Sequence, residues 1–274
     1  MLAHHFIIHQ LASIIPTHSP YLSPMPQATT IDDVLQQLDV IINTAKAENN
    51  TIGYFAYVYR RTTAAVKEAI RADRFADNER MEAFDVSFAN LYLEAYEQYH
   101  CEEPCSASWQ LAFDAAKEQK ALLQHILLGM NAHINLDLGV AAARIMAGKD
   151  LNDLEADFWR VNDILQEIIE ELQERVGQAS PVFAWFDWLG KDMDEHLLDF
   201  SIRAAREQAW VVAHQVWAAG EDTATVISRI DDNVARLGKR VNQPRMRVSR
   251  WIWRGMALTE GRSIGGNIDR LRLG

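Results

Sequence analysis

The sequence predicts an all-α protein: one compact multi-helix domain of about eight or nine helices around a buried central helix. Three observations carry this. Apolar residues recur at helical spacing through most of the chain. No stretch shows sustained period-two alternation with β-branched enrichment, so strands have no support. And one segment, Ala121 to Ala143, holds 23 residues of which only Asp137 is formally charged, with apolar side chains pointing in every direction. A helix apolar all round belongs at the centre of its domain.

Taken in order, residues 1–29 read as an irregular arm, because four of the seven prolines fall between Pro16 and Pro26 and bias the chain toward extended or turn conformations. A helix at 30–48 opens with a capping box, Thr30 with Asp33, and repeats Ile31, Val34, Leu35, Leu38, Ile41 and Ile42 on one face. Similar periodicity marks helices at 53–73, 78–98 and 106–147. A fifth, 152–177, begins with an Asn152–Glu155 box, and others follow at 181–189, 193–219, 222–238 and about 245–258. Connections are short and no fixed-period repeat appears, which favours one domain, 30–244, over a solenoid or two bundles.

The net charge of −11 argues against a nucleic-acid binder, since phosphate neutralisation needs a basic surface. The charge is unevenly spread. From Lys239 onward nine Lys or Arg face two acids, +7, while the remainder is −18. The basic segment 245–274, with Arg250 and Arg254 around Trp251 and Trp253, is expected to dock on the acidic body of its own chain; peripheral contact with a membrane is the less favoured reading. The N-terminus lacks a basic residue before its short apolar run, and no 18 apolar residues run uninterrupted, so a cytoplasmic protein without a transmembrane segment is the expectation. Cys101 and Cys105, in CEEPC, match neither a zinc knuckle nor a CxxC redox pair and read as ordinary thiols.

Chemistry concentrates in HILLGMNAHINLDLG, 125–139. At about 100° per residue, His125, Gly129, His133 and Asp137 share an arc of about 120°, and the glycine leaves room for another group to approach. Gln124, Asn131 and Asn135 lie on a different side. A buried carboxylate needs a partner: a metal shared with His133, an arginine from another helix, or His133 itself. Two further faces supply polar groups. One carries Arg203, Glu207, Trp210 and His214, the other Asp85, Phe88 and Tyr92. If these converge, His125, His133, Asp137 and His214 are candidate ligands for a divalent metal, zinc or iron. Asp85 or Glu207 is then the candidate general base and Arg203 the anion-stabilising group. The implied function is a metal-dependent, hydrolase-like enzyme acting on a small, partly hydrophobic substrate. The alternative is a non-enzymatic binding or scaffold protein with a buried structural His/Asp/Arg network.

The segments GYFAYVYRR, MEAFDVSFANLYLEAY, HILLGMNAHINLDLG and SIRAAREQAW resemble a bacterial helical domain family of unknown function, from about residue 30 onward. The chain is also similar to the all-helical zinc-dependent phospholipase C and P1-nuclease group, whose ligands include H-x-x-x-D and H-x-x-x-E pairs. His133 and Asp137 fit the first pair. Nothing fits the second, since Ala218 follows His214 and Phe200 follows His196 at that spacing. The N-terminal tryptophan ligand of the phospholipases is also missing, so the likeness implies at most one or two metals.

Overall fold

The computed structural model describes residues 25–165, 167, 202–244, 247–260 and 263–273, and every regular element among them is helical. Ten α-helices are assigned among these residues, slightly more than expected. The proline-rich stretch up to residue 24, the expected helix at 181–189 and the Arg203 side chain lie outside the described residues.

Helix α1 (Ile31–Glu48) starts where its capping box predicts. The Thr30 hydroxyl accepts from the Asp33 N–H at 3.1 Å, and the Asp33 carboxylate accepts from the Thr30 N–H at 2.9 Å. Its apolar face packs along α2 (Ile52–Arg71). Helix α3 (Asn78–His100) follows, and its first turn is fastened to the helical residues 155–165 by Asp157. That buried carboxylate accepts from the Ala76 and Asp77 N–H groups, at 2.7 and 3.2 Å, and from Arg80 at 2.9 Å.

The single long helix expected over 106–147 is two helical runs. Short α4 (Ala107–Asp114) ends in a 3₁₀ turn, and Glu118 adopts extended backbone before the chain re-enters a helix at Leu122. The charged and amide side chains of Glu118, Gln119 and Lys120 give this junction no apolar anchor. Past it, α5 (Leu122–Ala132), a π turn (His133–Asp137) and α6 (Leu138–Ile145) run on as one rod. By length and composition this rod could cross a membrane, but 83% of its most apolar window is buried inside the protein, which accounts for that composition. It touches α2, α3, α4, α7 (Ile202–Trp217) and α8 (Thr223–Asn242). The α6–α7 crossing is close because Gly139 has no side chain: a Cβ there would lie 2.6 Å from the Ala209 carbonyl oxygen.

The amide side of the rod faces α8. Gln124 donates to the Val241 carbonyl at 3.1 Å and Asn131 to that of Val234 at 3.0 Å. Asp231 of α8 caps α4, its oxygens accepting from the Ala107 N–H, the Ser108 N–H and the Ser108 hydroxyl at 2.6, 2.9 and 2.6 Å. Beyond α8, Trp253 and Met256 of α9 (Arg247–Thr259) bury against Ala121. Helix α10 (Ile264–Leu273), which the periodicity does not reveal, lies on α1 and α2. There Tyr57 donates to the Leu271 carbonyl at 3.0 Å and Asn267 to the Tyr54 hydroxyl at 2.8 Å. Both cysteines are free thiols.

Candidate functional site

The central rod turns His125 and Gly129 toward α2, and His133 and Asp137 toward side chains of α2, α3 and α4. His125 sits beside Thr51, its Nδ1 3.4 Å from that hydroxyl, and near Tyr54. The gap at Gly129 is taken by Phe55, whose ring would stand 2.3 Å from a Cβ there. One turn on, His133 enters an aromatic cage. Its ring lies parallel to Phe88 at 3.6 Å and edge-on to Tyr59 at 4.3 Å, with Phe55, Trp109 and Tyr92 within 6.1 Å between centroids.

The π turn spans His133 to Asp137, with the Leu138 N–H reaching back to the His133 carbonyl. Such single-turn widenings recur at functional sites. His133 Nδ1 and Asp137 Oδ2 are 3.1 Å apart, and the Trp109 indole N–H donates to the same carboxylate oxygen at 2.8 Å. Burial raises the Asp137 carboxyl well above its usual range, against the pull of Trp109, and lowers the His133 imidazolium well below its own. Both effects favour the uncharged pair. Whichever atom carries the shared proton, His133 Nε2 has no hydrogen-bond partner.

Neighbouring groups repeat that condition. Asp85 is buried on α3 one turn before Phe88; burial, with a contribution from Glu82, pushes its carboxyl up to about 7, and its Oδ2 is unpartnered. The buried Tyr59 hydroxyl feels both Asp85 and Asp137 and is met by the Thr63 hydroxyl one turn on, while the buried Tyr92 hydroxyl is unpartnered. Asp85, His133 and Asp137 therefore gather around Tyr59.

The remaining predicted residues do not join them. His125 is buried and lowered to about 4 by desolvation, but it faces the start of α2. Glu207 and His214 are exposed, His214 edge-on against Trp210. The buried face of α7 is instead Ala205, Arg206, Ala209, Val212, Ala213 and Val216. Arg206 donates to the Phe158 carbonyl and lies over the Phe158 ring, and desolvation lowers it to about 9. Among the described residues no three His, Cys, Asp or Glu side chains converge as a metal centre needs, so the set His125, His133, Asp137 and His214 is not assembled.

Sequence reasoning missed Trp109, Arg206, Asp157 and Asp231. A lone Trp in a short helix and a charge on an Ala-rich helix carry no spacing signal. The two capping aspartates bond across more than 70 positions of chain.

The geometry defines an all-helical protein with a buried carboxyl–imidazole pair in an aromatic cage. Residues 31–244 match the Family of unknown function (DUF5995), and the chain belongs to that family. No curated protein and no solved structure matches it. The likeness to the zinc phospholipases and P1 nuclease is not supported: the matching family is a different one, and the H-x-x-x-D pair stands without a third ligand among the described residues.

Proposed function

We propose that the protein binds a small, partly hydrophobic molecule beside His133 and acts on it by acid–base chemistry, in the manner of a hydrolase. The reading treats 30–244 as one domain closed around the central rod. Its single supporting observation is the gathering of partnerless buried polar atoms, namely His133 Nε2, the Tyr92 hydroxyl and Asp85 Oδ2. Each unmet buried group costs about 1–3 kcal/mol, so several in one neighbourhood mark a place where a ligand supplies the missing bonds. His133 Nε2 would take or give the proton, Asp137 would hold the ring in position, and Asp85, titrating at about 7, would serve as a second acid or base. Phe55, Phe88 and Trp109 would take the apolar part of the molecule. A metal-dependent version needs a third ligand beside His133 and Asp137.

One observation favours the structural alternative: Asp137 Oδ2 is already met by both Trp109 and His133, as a register-fixing network would have it. Native mass spectrometry of the purified protein for a co-purified small molecule, with hydrolysis of para-nitrophenyl butyrate, separates the two. We expect bound mass or turnover in the parent protein, and loss of both in His133→Phe, which keeps the stack on Phe88. A parent protein with neither, clearly destabilised by His133→Phe, would leave the structural network standing. Elemental analysis of protein purified without chelator tests the metal version.

A further inference from the structure

The two most exposed large apolar side chains among the described residues, Trp251 and Leu258 at 72% and 76%, lie seven positions apart on α9. That helix has two faces. The inner one, Trp253 and Met256, is buried against Ala121 and flanked by Leu123 and Leu127, which holds the helix in place on the body. The outer one presents Arg250, Trp251, Arg254, Gly255 and Leu258, all exposed. Gly255 meets nothing within 4 Å of where its Cβ would stand, so this face is open along its middle.

We infer that the outer face of α9 is a docking surface for an anionic lipid membrane. An indole and a leucyl side chain standing out from a pre-formed helix suit the boundary between headgroups and acyl chains, and the two guanidiniums beside them suit lipid phosphates. The charge distribution gives the orientation. The segment from Lys239 onward is +7 and the rest of the chain −18, so a negatively charged surface attracts this end and repels the rest. A protein partner fits less well, because a stable interface needs about 800 Å² on each side, and two protruding side chains without a groove fall short of it. Since Trp253 and Met256 already fix the helix, binding does not have to order it.

Co-sedimentation with vesicles tests this on the full chain, using phosphatidylcholine alone and phosphatidylcholine mixed with phosphatidylserine. The parent protein is expected to pellet only with the mixed vesicles and to release as salt is added. Arg250→Glu with Arg254→Glu should weaken binding by about thirtyfold or more, at about 1 kcal/mol per basic residue. Trp251→Ala with Leu258→Ala should weaken it by about tenfold or more. All four side chains are exposed, so thermal melting of the variants should match the parent. Failure to bind the mixed vesicles, binding that survives both double substitutions, or equal binding to phosphatidylcholine alone without salt dependence would overturn the inference. So would a parent dimer that dissociates on Trp251→Ala with Leu258→Ala, which would assign the face to a second copy.

Discussion

Two pairs of buried carboxylates treat their surroundings differently. Asp157 and Asp231 each accept three hydrogen bonds, mostly from backbone N–H groups at helix starts, and so tie α3 and α4 to distant parts of the chain. Asp85 and Asp137 sit as deeply, yet Asp85 leaves an oxygen unmet and Asp137 leans on an indole and an imidazole that itself lacks a second partner. Burial pushes both carboxyls above the usual carboxylate range. The first pair shows what these helices do with a carboxylate whose role is to fasten. In the second, Asp85 Oδ2 and the Nε2 of the imidazole on Asp137 are left open, which is what the proposed site rests on.

The sharpest break of this contrast is Asp231→Ala. It leaves three donors at the start of α4 without their acceptor, and a loss of about 3–5 kcal/mol in urea unfolding is expected; a loss below about 1 kcal/mol would erase the distinction. Asp85→Asn should act in the opposite direction. A carboxyl titrating at about 7 when folded and near 3.8 when unfolded binds more protons in the native state between those values. Stability therefore falls as pH rises from about 4 to about 7. The variant should lose that slope and gain on the order of a few kcal/mol over the parent at neutral pH, while matching it in acid. Unfolding curves across that range check the sign. The smallest effect belongs to Asp137→Asn, which keeps a carbonyl oxygen for the Trp109 N–H and is expected to cost no more than about 1.5 kcal/mol. A cost as large as that of Asp231→Ala would place Asp137 with the fasteners.

Composition and spacing reveal the frame around Asp85 and Asp137 but not the fastening roles of Asp157 and Asp231. The central rod announces itself because 23 residues with one charge have nowhere to go but inside, and Thr30 with Asp33 marks the start of α1 to the residue. Asp85, Phe88 and Tyr92 were legible as one face of α3, and Phe88 and Tyr92 do meet His133. Three features escaped. The face of α7 was misjudged because charges occur on both sides of an Ala-rich helix, so Arg206 goes inside while Glu207, its immediate neighbour, stays out. A straight-helix projection also cannot foresee the π turn, which depends on the groups packed around His133 and Asp137. Helix α10 was hidden by its paired glycines, Gly265 and Gly266, whose low helix propensity is overridden by packing on α1 and α2.

That last helix governs how the chain can fold. Its bonds to α1 and α2, from Asn49, Tyr54, Tyr57 and Lys46, bridge 213 to 223 positions of sequence. Helices α1 and α2 must therefore wait, with part of their apolar surface uncovered, until residues 264–273 have been synthesised. A chain halted before residue 264 would leave Tyr54 and Tyr57 without these bonds and Gly53 without the Ile268 side chain that packs on it.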